Sequence, residues 1–353
     1  MFLASDNGLG ATDRVMAAVM AANSGAALGY GNDDATKRVE RQLSDVFERE
    51  VAVYLVSTGT AANGLALACL TPPWGVVLSH EESHVNEDEC CGPEFFTGGA
   101  KLVGVPGLGA KLTPDATAAT IARLPKRIPH GAPLTVLSIT QSNELGQVYS
   151  AAEVAALSAL AKSHGMAVHM DGARFANAVA SLGCAPADIT WRAGVDALSF
   201  GTTKGGTIAC EAVIFFDPEK GREMVRRRMR GGHLLSKHRF LAAQMEAFLA
   251  DGHWLDLARH ANAMATKLAT GLAAVPGIRI PLLPQANGIF PILPKRIEAA
   301  LKAAGGVFYP WNGHSVPGGR ELSADETVVR MVTSFATKPE DVERFIALAK
   351  ASA

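Results

Sequence analysis

Apolar runs of strand length alternate with helical patterns along most of the chain. The segment VAVYLVSTGTAANGLALACL, at 51–70, predicts a strand, a Gly/Thr turn and a helix. Ser150 and Glu153 match a capping box, which predicts that another helix begins there. Further strands are predicted for the apolar runs VVLS, KLVGV, LTVLSI, MAVHM, VDALSF and AVIFF.

Strands that alternate with helices predict an α/β fold with a mostly parallel, doubly wound sheet and helices on both faces. This pattern ends near residue 240. A long helical pattern follows, and then the segments PILPKRIEAALKAA and VVRMVTSF. We therefore expect an N-terminal arm and large domain at 1–240 and a smaller α+β domain at 241–353. In such sheets, ligands bind at the carboxyl ends of the strands.

Charge and composition narrow the class of protein. The 353 residues include 33 basic and 34 acidic side chains, so no basic surplus favours nucleic acid as a partner. No apolar run approaches the roughly 20 residues that a membrane span needs, and MFLASDNGLG lacks the features of a signal peptide. The spacing of the five cysteines matches no zinc pattern. We expect a cytoplasmic protein with buried, reduced thiols and no metal.

Lys204 stands in the stretch SFGTTKGG, between two apolar runs. Burial disfavours the charged form of a lysine and so lowers its pKa. A neutral amine is a nucleophile toward carbonyl groups, and the small residues around Lys204 leave room for a cofactor ring. The alternative is a loop lysine whose ammonium reaches solvent.

HMDGAR places Asp171 at the end of an apolar run, where an unpaired carboxylate would be costly. A carboxylate there can face the pyridinium nitrogen of pyridoxal phosphate (PLP) and keep that ring protonated. Arg174 follows three residues later and can bind a carboxylate through two hydrogen bonds. A local ion pair between Asp171 and Arg174 is the alternative.

The turn STGT, at 57–60, opens a predicted helix. Backbone N–H groups at a helix N-terminus bind phosphate well, although many such turns only cap a helix. His84 also lies at a predicted helix start, where it can stack on an aromatic ring or transfer protons. His80 and His130 compete for that role, and a single histidine is usually structural.

The order of these motifs is that of the fold type I PLP enzymes: a phosphate turn, a histidine, a strand-end aspartate and a strand-end lysine. Over nearly its whole length the chain resembles the low-specificity L-threonine aldolase family, in the threonine aldolase/β-eliminating lyase superfamily. The segments that carry this resemblance are SDN, YGNDD, STGTAAN, SHVNEDE, HMDGARFANA, TTKGG and VVRMVTSF. The resemblance implies a seven-stranded type of sheet, PLP as cofactor, and a homodimer or homotetramer with shared active sites.

Residue roles follow from the resemblance. Lys204 would bind PLP covalently, Asp171 would face its ring nitrogen, and His84 would stack on the ring. The implied cofactor-binding residues are Gly59, Thr60, His84, Asp171, Arg174, Thr203 and Lys204. The implied substrate-binding residues are Ser5, Tyr30, Arg174 and Arg330. Glu89 matches an acid beside His84.

The implied reaction is retro-aldol cleavage of L-threonine, L-allo-threonine and related β-hydroxy-α-amino acids to glycine and an aldehyde. His84, or a water that it holds, would remove the β-hydroxyl proton. Two alternatives stay open, because a scaffold does not fix a reaction. One is another fold type I reaction, such as β-elimination, transamination or decarboxylation. The other is a protein that binds PLP or an amino acid without turnover.

The sequence departs from the family pattern at three places. Gly201 replaces a serine before the lysine. The family's GGGMRQAG segment is RGGHLLSKHRF here, so the arginine that would reach a neighbouring subunit's phosphate has no clear match, and Lys237 or Arg239 could substitute for it. The family's THN segment is TQSN here, so Gln141 replaces a histidine. The group that contacts the substrate hydroxyl is therefore left open.

Overall fold

The computed structural model describes all 353 residues and contains thirteen α-helices and eleven β-strands. The helices are α1 Asp13–Ala22, α2 Asp34–Val46, α3 Gly59–Leu70, α4 His84–Glu87, α5 Gly92–Thr97, α6 Pro114–Arg123, α7 Ala151–Ser163, α8 Phe175–Leu182, α9 Met224–Arg230, α10 Arg239–Leu249, α11 His253–Ala273, α12 Lys295–Ala303 and α13 Pro339–Ala351. The strands are β1 Ala52–Val56, β2 Val76–His80, β3 Lys101–Val105, β4 Leu134–Thr140, β5 Ala167–Gly172, β6 Ala197–Gly201, β7 Glu211–Phe215, β8 Gly288–Ile289, β9 Ile292–Pro294, β10 Tyr309–Pro310 and β11 Glu326–Val332.

Seven strands form the main sheet, in the order β1-β7-β6-β5-β4-β2-β3. Only β7 runs antiparallel to its neighbours, and the other strands share one direction. Every residue of β2 and β7 is buried, as expected for strands covered on both faces. The predicted fold, a mostly parallel seven-stranded sheet with helices, is confirmed.

Strand register brings polar side chains from separate segments together at the carboxyl edge. Thr140 of β4 lies beside Asp171 of β5, and Asp171 lies beside Ser199 of β6. On the antiparallel strand, Glu211 lies beside Gly201. This edge is where an open α/β sheet binds its ligands.

Side-chain caps fix where the helices begin. Thr58 Oγ1 accepts a hydrogen bond from the Ala61 N–H at 3.2 Å, which sets the start of α3. At α7 the predicted capping box is present, because Ser150 Oγ accepts from the Glu153 N–H and Glu153 Oε2 accepts from the Ser150 N–H. The polar residues that open these helices therefore determine where each chain segment leaves the sheet edge.

A second, smaller sheet is antiparallel and has β11 at its centre. Its apolar core is separate from that of the main sheet and includes Leu272 and Phe345. Helix α11 joins the two units, since Trp254 packs in the first core and Leu268 in the second. The chain start packs with the small sheet, because the Leu3 carbonyl accepts from the Val332 N–H at 2.8 Å. The predicted domain boundary near residue 240 stays a prediction.

The helices and the cysteines each test a prediction made from the sequence. No helix has the length and apolar character that crossing a membrane requires. All five cysteines are free, but Cys90 and Cys91 are exposed. The expectation of buried thiols is therefore wrong for this pair, because it lies in a surface turn between α4 and α5 with φ angles of 48° and 58°.

Candidate active site

A cavity of about 290 Å³ opens at the carboxyl edge of the main sheet. Its walls come from the segments that follow β1, β2, β4, β5 and β6, from the start of β7 and from the beginning of the chain. A larger groove of about 820 Å³ lies elsewhere, among α1, α2 and α10. Alanines and surface charges line that groove, and of the residues that the sequence analysis singled out it contains only Arg239, the candidate for a neighbouring subunit's phosphate. The smaller, polar cavity is therefore the candidate active site.

Most of the predicted residues meet in this cavity. Those that line it are Gly59, Thr60, His84, Asp171, Arg174, Thr203 and Lys204. Ser5 and Tyr30 do not line it. Ser5 instead caps a short turn by accepting from the Asn7 N–H at 3.1 Å, and Asn7 reaches the cavity. Tyr30 is exposed and lies beside a separate small pocket with Arg228.

Lys204 is half-buried in the turn that follows β6. Burial lowers the pKa of its ammonium, and the nearby Arg174 charge adds to this effect against the opposing carboxylates. A larger share of the amine is therefore neutral at a given pH than in an exposed lysine. Glu211 is one of those carboxylates, and its Oε2 accepts from the Thr202 N–H at 2.7 Å. Sequence reasoning missed Glu211.

Asp171 is buried at the end of β5, with both carboxylate oxygens hydrogen-bonded. Oδ1 accepts from the Ala173 N–H at 3.0 Å, and Oδ2 accepts from Asn63 Nδ2 at 2.9 Å. Asn63 also donates to Glu89 Oε1 at 2.8 Å. Sequence reasoning missed Asn63, because it sits within the largely apolar helix α3. These contacts hold the Asp171 carboxylate in a fixed orientation at the cavity.

His84 opens α4, and its Nδ1 lies 2.9 Å from Glu89 Oε1. This hydrogen bond raises the pKa of His84 and outweighs the effect of burial. The imidazole therefore keeps a proton more readily than a free histidine. The two competing histidines lie outside the cavity: His80 bonds to the Gly107 carbonyl, and His130 is exposed.

Arg174 and Arg330 differ in whether a carboxylate binds the guanidinium group. Arg174 is bound by Asp6 through two hydrogen bonds, of 2.7 and 2.9 Å. Arg330, on β11, does not line the cavity, and its one side-chain hydrogen bond goes to the Ala4 carbonyl at 3.4 Å. Burial and the Arg174 charge lower the pKa of Arg330 to about 10. Arg330 is thus the arginine of the two that lacks a bound carboxylate.

The donors and acceptors of the cavity fit PLP. Helix α3 presents its N-terminus to the cavity, and a Cβ added at Gly59 would meet no protein atom within 4 Å. That open space suits a phosphate group. Asp171 suits a protonated ring nitrogen, and the Lys204 amine suits the aldehyde group. Asn63 Oδ1 and Ser142 Oγ are buried without hydrogen-bond partners, which leaves polar atoms free for a ligand.

Fold and cavity together define a fold type I, PLP-dependent lyase. The chain belongs to the beta-eliminating lyase family, whose model matches residues 3–293. It is 41% identical to a low specificity L-threonine aldolase of Pseudomonas aeruginosa, over 94% of this chain and 95% of the relative. The predicted family resemblance is therefore confirmed.

Solved structures agree with this family. A threonine aldolase of Leishmania major superimposes with a TM-score of 0.91 and 26% identity, over 99% of this chain and 98% of that chain. A serine palmitoyltransferase of Sphingomonas wittichii shares the fold, with a TM-score of 0.73 and 17% identity, over 100% of this chain and 86% of that chain. The architecture is thus common to enzymes with different names.

Proposed function

We propose that the chain cleaves L-threonine, L-allo-threonine and related β-hydroxy-α-amino acids to glycine and an aldehyde. The near-full-length likeness to a protein named low specificity L-threonine aldolase carries this choice of reaction. The cavity supports this choice, because it brings together Lys204, whose pKa is lowered by burial, and the carboxylate of Asp171, which hydrogen bonds hold in place.

Several residues would hold the cofactor in this proposal. Lys204 would bind it through the amine, Asp171 would face the ring nitrogen, and His84 would lie against the ring. Gly59 and Thr60, at the start of α3, would hold the phosphate. When bound, PLP supplies an electron sink for the electron pair of the breaking bond.

The protein's own side chains orient the substrate. Arg330 would bind the substrate carboxylate, since its guanidinium has no carboxylate partner near the cavity. Arg174 would add a second contact beside it while Asp6 keeps it in place. The Cα–Cβ bond then breaks, the β-hydroxyl loses its proton, and Cα gains a proton to give glycine. The two arginines therefore decide which bond of the substrate faces the reacting centre.

The proposal includes a homodimer or homotetramer in the cytoplasm, with residues of two subunits at each site. Exposed apolar side chains in this part of the chain support association, since Met16 and Met20 are exposed on α1 and Leu28 is exposed in the lining of the groove of α1, α2 and α10. In such an assembly Tyr30 would serve the site of a neighbouring subunit, because it lies away from the cavity of its own chain.

Product analysis tests the reaction. The PLP-saturated protein is incubated with L-threonine, and glycine, acetaldehyde and 2-oxobutyrate are measured. We expect glycine and acetaldehyde in equal amounts, and neither product from Lys204→Ala. Formation of 2-oxobutyrate without glycine would contradict the proposal, because it is the product of dehydration.

A further inference from the structure

Glu144 is a cavity residue that the sequence motifs did not indicate. It lies in the loop after β4 and lines the same cavity as Lys204 and Asp171. Its Oε1 accepts a hydrogen bond from the backbone N–H of His84 at 2.9 Å. Its Oε2 is buried and has no hydrogen-bond partner. A buried polar atom without a partner is costly, so its retention here favours a function in the cavity.

The loop holds Glu144 in a fixed position. Asn143 Nδ2 donates to the carbonyls of Gly109 and Ala110, both at 2.8 Å. Asn143 Oδ1 accepts from the N–H groups of Leu145 and Gln147, at 3.1 and 2.8 Å. Glu144 therefore stands between two residues whose backbone is anchored, as a preorganised reacting group requires.

Gln141, which stands where the family has a histidine, does not reach the cavity. Its amide forms two hydrogen bonds with the backbone of Tyr149, at 2.7 and 3.0 Å, and its side chain is fully buried. It is absent from the cavity lining. The contact to the substrate hydroxyl must therefore come from another residue.

The other acid–base groups of the cavity are already committed. The hydrogen bond of His84 Nδ1 to Glu89 Oε1, at 2.9 Å, raises the pKa of His84, so this imidazole binds its proton more tightly than a free histidine does. Both oxygens of Asp171 accept hydrogen bonds. The Glu89 side chain is fully buried, and its Oε1 is engaged by both Asn63 Nδ2 and His84 Nδ1. Glu144 alone of these carboxylates combines partial exposure with an unpartnered oxygen.

We propose that Glu144 is the general base that takes the β-hydroxyl proton of the substrate during aldol cleavage. This inference rests on the proposed function. The substrate O–H bond breaks, and its proton moves to Oε2 of Glu144. The Cβ–O bond becomes the carbonyl of the released aldehyde as the Cα–Cβ bond breaks. The electron pair of that bond stays with the Cα fragment, which later takes up a proton and leaves as glycine.

The charge environment suits this role. Burial raises the pKa of Glu144 to about 7, against the hydrogen bond donated by the His84 backbone, and the Asp171 charge raises it further. The other titratable, charged or hydroxyl groups near Glu144 are Thr140, Ser142, Arg174, Lys204 and the His84–Glu89 pair in the cavity lining, and Tyr149, which is buried outside that lining. A carboxyl is neutral below its pKa and anionic above it. Cleavage should therefore rise with pH through about 7.

Glu144→Gln tests the proposal with little change in shape. The amide oxygen can still accept from the His84 N–H, but the side chain no longer takes a proton. We expect kcat/KM for L-threonine to fall on the order of 10²- to 10⁴-fold, the usual contribution of a general base. The rise of activity through pH 7 should disappear. Glu144→Asp should retain part of the activity, because it keeps a carboxylate.

A partial reaction separates this role from a structural one. Exchange of the glycine α-proton with deuterated solvent uses the same cavity but no hydroxyl group, so Glu144→Gln should leave its rate unchanged. Glu82→Gln is the matched control, since Glu82 also has buried, unpartnered oxygens but lies outside the cavity. That control should leave both reactions unchanged.

Infrared spectroscopy gives a readout without turnover. The cofactor-free protein should show a protonated-carboxyl C=O band that titrates near pH 7 and is missing in Glu144→Gln. Unchanged threonine cleavage in Glu144→Gln, or equal loss of cleavage and glycine exchange, would overturn the role of Glu144. If the unmodified protein exchanges the glycine proton but does not cleave threonine, the proposed function itself fails, and this inference fails with it.

Discussion

Arg174 and Arg330 show at the scale of single residues how partners decide availability. Asp6 binds Arg174 through two hydrogen bonds, of 2.7 and 2.9 Å, which neutralises the arginine's charge. Burial alone would raise the pKa of Asp6, but the contacts with Arg174 outweigh burial and the pKa is lowered. Arg330 has one long hydrogen bond and lies over the Trp311 ring. A partly buried guanidinium without a carboxylate is suited to bind an anionic substrate.

Arg330→Lys tests that assignment. An ammonium reproduces the charge but not the planar two-point contact with a carboxylate. We expect kcat/KM for L-threonine to fall about 10- to 100-fold, as for loss of a charge-assisted hydrogen bond worth roughly 1.5–3 kcal/mol. Steady-state kinetics measures this loss, and the PLP content and thermal stability should barely change.

Arg279→Lys serves as the control for this variant. Arg279 lies in the same smaller unit, exposed and paired with Glu326 at 2.9 Å, so its replacement should leave the kinetics unchanged. An Arg330→Lys protein that unfolds at lower temperature but keeps its kcat/KM would identify Arg330 as structural. The substrate carboxylate would then need another partner.

At the scale of elements, the residues that follow apolar runs were predictable. Asp171 and Lys204 each come after such a run, and parallel strands end at one edge of a sheet. The STGT turn and the capping box at Ser150 were likewise visible in the sequence, because helix starts depend on local side-chain chemistry. Local sequence signals were therefore sufficient to predict at which edge of the sheet the cavity lies.

Other parts of the site depend on pairing between distant segments, which the sequence pattern does not contain. Asn63 lies among apolar residues of α3 and reaches Asp171 only because that helix packs on the sheet. Glu211 meets the lysine turn through the antiparallel register of β6 and β7. Glu144 follows no motif, and its position depends on the anchored loop after β4. Tyr30 was placed by resemblance, yet it lies outside the cavity of its own chain.

At the scale of the whole molecule, the residues assigned to the proposed function come from two structural units. The smaller unit carries Arg330 on β11, and the larger unit carries Lys204 and Asp171. Helix α11 packs in both cores and so connects the two units. In the proposed assembly, the surface around α1, α2 and α10 would contact a second copy of the chain.

Light scattering tests that assembly. We expect a mass of two or four chains for the unmodified protein. Met20 on α1 is 68% exposed, and Met20→Glu should shift the mass toward one chain, because it would place a charge in the proposed apolar contact. Threonine cleavage should fall with the shift if two subunits build each site. A single-chain mass with full activity would contradict the shared site.

Chemical mapping of the cofactor attachment tests the central claim most directly. The PLP-loaded protein is reduced with borohydride and digested, and mass spectrometry locates the phosphopyridoxyl group. We predict that the visible absorbance band disappears on reduction, that the group lies on Lys204, and that Lys204→Ala shows neither band nor label. A label on another lysine, such as Lys237, or a reducible band that persists in Lys204→Ala, would contradict the account.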